Sequence, residues 1–186
     1  MNKVYRKLAF TNIKNNGSLY IPYIISGIVT VAMFYIMMFL NNSKGLEKIY
    51  GSSYLTSIMA LGVRIIAVFS YIFIFYTNSF IIKRRKKEIG VYNILGMEKR
   101  HIAKVMGIET VTVALIVIIG GIVTGILFSK LSILLLYKIL AVKETVKFEI
   151  NFSTIINTLI VFGTLYALTL IYNMMQIKLA NPIELL

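Results

Sequence analysis

Four long apolar runs separated by short polar stretches set the pattern of this chain. Residues 18–40 carry no charge, residues 54–82 carry only Arg64, residues 105–129 only Glu109, and residues 152–175 none. About 20 apolar residues in a helix span a hydrocarbon core of about 30 Å. In that medium every backbone N–H and C=O must be satisfied internally, so runs of this length are helices. The pattern therefore predicts an all-α integral membrane fold with four transmembrane helices, 18–40, 54–82, 105–129 and 152–175. The third has an apolar continuation through Lys130 to about residue 140.

The polar stretches carry structure of their own. In residues 1–17, Val4, Tyr5, Leu8 and, less regularly, Ile13 fall near helical spacing, while Lys3, Arg6, Lys7 and Lys14 lie mostly elsewhere. This reads as a short amphipathic helix on the membrane surface, or as a frayed basic tail. Gly17-Ser18 marks a break, and Pro22 sits in or near the first turn of the next helix, where a missing N–H matters least. Residues 18–40 exceed a signal-peptide core, and Asn41-Asn42-Ser43 offers no cleavage site, so the span is retained. Residues 41–53 and 141–151 form two short outer connections, and 176–186 a tail. Residues 83–104 read as a helical elbow. A helix over 84–95 presents Ile89, Tyr92 and Leu95, Gly96 ends it in a left-handed cap, and Glu98 opens the next helix, with Ile94, Leu95 and Met97 near the tip.

Composition sharpens this picture. The chain is 58% hydrophobic and has no cysteine, which excludes disulfides and thiolate chemistry. A net charge of +13 raises nucleic-acid binding. The cations cluster between apolar runs, however, as topology determinants do, and no nucleic-acid partner is expected. Eight of the twenty Lys and Arg residues fall in residues 83–104. With both termini inside, thirteen basic residues face the cytoplasm and five face out, so both termini are expected to be cytoplasmic.

Little points to catalysis. No G-x-x-x-x-G-K-[ST] is present, and the single histidine, His101, excludes a His-pair metal site. His101 reads as a solvated residue, against a pH-responsive one. The seven acids are scattered, and neither an enzyme nor a cofactor is expected. Two charges within spans are functional suspects. Arg64 lies roughly 27 Å from the inner end of its helix, placed to snorkel or to meet an anionic ligand. Glu109 lies within about 8 Å of the inner surface, placed to pair with the basic elbow. Gly121 and Gly125 form a G-x-x-x-G suited to close helix packing.

The elbow also carries a family pattern. R-R-K-K-E-I-G-x-x-x-x-L-G-M over residues 84–97, between two spans, resembles the FtsX-like permeases of ABC transporters. The N-terminal Leu8-Ala9-Phe10-Thr11-Asn12-Ile13-Lys14-Asn15-Asn16 and the C-terminal Asn181-Pro182-Ile183-Glu184-Leu185 extend the resemblance over nearly the whole chain. Tyr76-Thr77-Asn78-Ser79-Phe80 and Ile108-Glu109-Thr110 are similar to the bacitracin-resistance branch. The resemblance implies a bacterial plasma-membrane permease. Its elbow residues Glu88, Ile89, Gly90, Leu95, Gly96 and Met97 would contact a separate ABC ATPase subunit and couple hydrolysis to export or removal of a membrane-associated substrate such as an antimicrobial peptide.

Permeases of that branch continue with further helices and a large extracellular domain. This sequence holds the four-helix part, expected as a fragment or as a half-permease completed by a second chain or a homodimer. Two other readings stay open. The chain could be an interaction partner of a membrane histidine kinase, using Gly121 and Gly125, or a truncated remnant without transport.

Overall fold

The computed structural model describes residues 2–43, 52–140 and 151–179. Five helices occupy them: α1 (Asn2–Asn15), α2 (Gly17–Asn41), α3 (Ser52–Ile94), α4 (Lys99–Ile139) and α5 (Phe152–Leu179). Each of α2 to α5 contains a stretch long and apolar enough to cross a membrane. Most of the two outer connections, and the C-terminal Asn181-Pro182-Ile183-Glu184, lie outside the described residues.

The boundaries follow local chemistry. Asn16 joins α1 to α2: its N–H bonds the Asn12 carbonyl at 3.0 Å, while its own carbonyl accepts from Leu19 and Tyr20. The hinge therefore falls one residue before Gly17, and Pro22 lies inside α2 rather than in its first turn. Asn151 caps α5, its Oδ1 accepting the Ser153 N–H at 3.1 Å, as an N-cap side chain does. At the elbow, α3 ends in a Schellman turn. Gly96 has φ +86°, and Met97 N–H reaches back to the Tyr92 carbonyl at 3.0 Å. The left-handed residue suits glycine because a Cβ there would crowd its own backbone. The Glu98 carbonyl then accepts from His101 and Ile102 to open α4.

The elbow is thus the ends of two continuous helices around a four-residue turn. The backbone does not register the change from apolar to basic at residue 83, because Lys, Arg and Glu are good helix formers. Nor does α4 break at Lys130; it runs to Ile139.

The chain divides into two compact units. One comprises Met1–Ile25, Phe73–Ile116 and Gly163–Leu186; the other comprises Ser26–Ile72 and Val117–Phe162. The first has a core of Ile82, Ile89, Ile102, Ala103, Met106 and Ile177, against which Tyr92 and Met97 pack. In it α1 turns Tyr5, Leu8, Ala9 and Asn12 inward, whereas Val4 is 66% exposed. The second unit is built on Tyr35, Phe39, Met59, Ile133 and Tyr137. There α4 and α2 approach closely at glycine. A Cβ on Gly121 would overlap the Val31 side chain and lie 3.1 Å from the Ile28 carbonyl oxygen, and one on Gly125 would lie 2.9 Å from the Tyr35 ring.

Away from these cores, α3 exposes Ile58, Leu61, Ile65, Val68, Phe69 and Ile72. A continuous stripe of that kind is a surface for lipid, not water.

Gly121→Ala must push α2 and α4 apart, and overpacking of this kind costs about 1–3 kcal/mol. On the same helix, a methyl group added at Gly107 would meet nothing within 4 Å, so Gly107→Ala gains helix propensity, at most about 1 kcal/mol. Denaturant unfolding in detergent should show opposite shifts of the midpoint for the two variants.

Candidate functional site

The first unit buries an arginine and a glutamate, each 2% exposed: Arg85 on α3 and Glu109 on α4. An isolated charge in such a place is prohibitive, so the two are paired and their remaining bonding capacity is filled. The Arg85 Nη1 donates to Glu109 Oε2. It also donates to the Tyr20 hydroxyl of α2 at 2.6 Å, and that hydroxyl donates to Glu109 Oε2 at 3.0 Å. The other carboxylate oxygen, Oε1, accepts from Asn12 Nδ2 of α1 at 2.8 Å. Arg85 Nε is held by Glu88 Oε2, one turn along α3, at 3.1 Å.

Two further bonds close the network onto α1 and the Asn16 junction that follows it. The Tyr92 hydroxyl donates to Asn12 Oδ1 at 3.1 Å, and Asn16 Nδ2 donates to Glu88 Oε2 at 3.2 Å. One ion pair therefore fastens α1, α2, α3 and α4 together within this unit. Beside it, Asn78 of α3 and Asn173 of α5 exchange amide bonds at 2.6 and 3.3 Å. Asn173 Nδ2 also donates to Thr110 Oγ1 of α4 at 3.1 Å. Since Glu109 and Thr110 are sequence neighbours, α5 joins the same assembly. A cavity of about 20 Å³ lies among Tyr20, Asn78, Glu109, Thr110 and Asn173, enough room for one water among polar partners.

The arrangement is a joint between helices. Its carboxylate accepts from four donors: Arg85 Nη1, the Tyr20 hydroxyl and Asn12 Nδ2, with Arg85 Nη2 reaching Oε1 at 3.4 Å. Among the described residues no group of three or more His, Cys, Asp or Glu could hold a metal ion.

The residues singled out in the sequence separate into distinct environments. Glu109 is the acceptor at the centre, and Glu88 is half-buried beside it. Ile89 and Gly90 are inside the core, Met97 packs half-buried on it, and Ile94, Leu95 (76% exposed) and Gly96 stand outward at the elbow. Arg64 is exposed on α3 of the other unit, with no part in this network. Gly121 and Gly125 face α2 of the same chain. His101 stacks on Tyr5 of α1, ring centres 5.6 Å apart.

Sequence reasoning missed Arg85, Asn12, Tyr20, Asn78 and Asn173. Charge counting sees Arg85 only as one of a cluster of topology determinants. Yet it shares a helical face with Ile82 and Ile89, while Arg84 points away over the Phe80 ring at 5.2 Å. Asn78 and Asn173 interrupt apolar runs, where an amide needs a partner on another helix.

Four helices fit to cross a bilayer, drawn together by buried polar bonds, define a multi-pass helical membrane protein. Residues 60–182 match the family described as FtsX-like permease C-terminal, and the chain belongs to the FtsX-like permease family. It is 31% identical over 180 residues to the bacitracin export permease protein BceB of Bacillus subtilis, covering 96% of this chain and 28% of that protein. It is 30% identical over 183 residues to the uncharacterized ABC transporter permease YvcS of the same organism, covering 97% and 28%. The BceB protein of Halalkalibacterium halodurans is 25% identical over 171 residues, covering 92% and 26%. The chain thus spans little more than a quarter of the length of these relatives. It is a multi-pass cell-membrane protein of the permease class.

Removing one partner of a buried ion pair costs about 3–5 kcal/mol, because the other is left uncompensated. Arg85→Met and Glu109→Leu should each lower the detergent unfolding midpoint sharply. The double variant should lose much less than the sum, with a coupling energy of at least about 1 kcal/mol. Additive losses would show that the two side chains act independently.

Proposed function

We propose that this chain is the membrane part of an ABC permease whose elbow docks a separate ATPase subunit and carries its movement into α3 and α4. The observation that carries this reading is the elbow's construction. An exposed apolar tip of Ile94 and Leu95, 66% and 76% exposed, is held by the Gly96 turn on a packed base of Ile89, Tyr92, Met97 and Ile102. An apolar tip on a stiff helical base suits insertion into a groove of a partner. A loop needed only for its charge has no use for it.

The base matters as much as the tip. Ile89 and Gly90 are buried, so they support the elbow from within and do not touch the ATPase; the docking contact narrows to Ile94, Leu95 and Gly96. Force on that tip reaches Glu109 through Arg85, nine residues before Ile94 on the same helix. The excess of basic residues on this side of the spans supports a cytoplasmic location for the elbow and both termini. The names of the two BceB relatives, bacitracin export permeases, suggest the substrate class, an antimicrobial peptide. A kinase-sensing role through Gly121 and Gly125 has less support, since those positions are filled by Val31 and Tyr35 of the same chain.

Affinity purification of the solubilised chain from its native membrane tests this. An ATPase subunit should be recovered, and Leu95→Asp should reduce its recovery at least about tenfold, as loss of an apolar anchor does, with helix content unchanged. Ile89→Asp should instead lower the unfolding midpoint of the chain itself. Undiminished ATPase recovery with well-folded Leu95→Asp would sink the docking role of the tip.

A further inference from the structure

The outward face of α1 makes none of the contacts described above. Its inward face is fixed: Asn12 is bonded to Glu109 and Tyr92, Tyr5 stacks on His101, and Asn16, just past the helix, is bonded to Glu88. On the opposite side Lys3, Arg6, Lys7, Phe10 and Lys14 are all exposed. Their spacing of three and four residues aligns them as one stripe along the helix. Phe10, 53% exposed, sits among the four cations, and Val4, 66% exposed, flanks them.

We propose that this stripe binds anionic phospholipid, with the cations on headgroup phosphates and Phe10 and Val4 in the boundary with the acyl chains. Three observations converge on a lipid occupant. The first is charge: residues 1–17 contain four cations and no acid, and basic side chains near an anionic leaflet are attracted to it. The second is position: α2, a span, begins at Gly17, two residues after α1 ends, so α1 lies where the chain enters the bilayer. The third is the exposed phenylalanine among the cations, an arrangement matched to the headgroup zone, where an apolar ring and a charge can both be satisfied. An acidic protein would satisfy the charges but gives no reason for the stripe to begin at the membrane entry.

This inverts the orientation expected from the sequence. The apolar spacing sets Tyr5 and Leu8 against the membrane; in the structure they face protein, and the basic face is the free one. The bonds from Asn12 and Asn16 prevent the helix from rolling to present the other side.

The chain contains no tryptophan, so Phe10→Trp in the full chain introduces a single indole as a reporter at an exposed site. The protein is reconstituted in nanodiscs of phosphatidylcholine alone, or of phosphatidylcholine with phosphatidylglycerol, each with and without brominated acyl chains. Blue-shifted emission and bromine quenching should be markedly stronger with phosphatidylglycerol and should weaken at high salt. Each Lys or Arg contributes about fivefold to binding an anionic surface. Joint replacement Lys3→Gln, Arg6→Gln, Lys7→Gln and Lys14→Gln should therefore lower the occupancy by at least about tenfold, with the circular dichroism preserved. Equal quenching in both lipids would overturn recognition of charge. Water-like emission without quenching in both would overturn lipid contact and turn the stripe toward solvent or a protein. None of these outcomes depends on whether the elbow docks an ATPase.

Discussion

The pairing of Arg85 with Glu109 is the constraint that the first unit is arranged to satisfy. Two full charges, each 2% exposed, demand that every lone pair and N–H around them be used. That demand recruits Tyr20, Asn12 and Glu88, and through them four helices. It also explains why an asparagine occupies the inward face of α1 where a leucine would bury more apolar area. A leucine there would leave a carboxylate oxygen short of a donor, which costs more than the apolar burial returns.

Much of the architecture was legible because it depends on one-dimensional quantities. The four spans follow from run length, the elbow turn from Gly96, and the start of α4 from Glu98. The joint was not legible in the same way, because it depends on helical phase and on residues far apart in sequence. Arg84 and Arg85 are neighbours of one residue type, yet the step of about 100° between them puts one over an exposed ring and the other in the core. Charge counting treats them alike. Phase would have separated them, since Ile82, Arg85 and Ile89 share a face. The contact from Asn12 to Glu109, 97 residues apart, had no local signal beyond a polar residue on an otherwise apolar face.

The elbow shows how one short motif can serve two purposes. Ile89 and Gly90 belong to the core and fix the shape of the turn, whereas Ile94 and Leu95 are free at its end. The sequence pattern merges Ile89, Gly90 and Leu95 into one string of six positions with Glu88, Gly96 and Met97, and leaves Ile94 out. The structure divides them into buried and exposed positions, and the same division separates the inward Asn12 of α1 from its outward cations.

The position of Glu88 has a consequence for biogenesis. Helices enter a membrane in the order in which they are made, and Glu109 follows Arg85 by 24 residues. While α3 is in place and α4 is still to come, Arg85 lacks its final partner. Glu88 lies one turn away on the same helix and bonds its Nε, so α3 brings its own provisional counter-ion. The mature joint keeps that bond and adds Glu109 on the other side of the guanidinium, so the third span completes the burial of a charge that α3 has already paired.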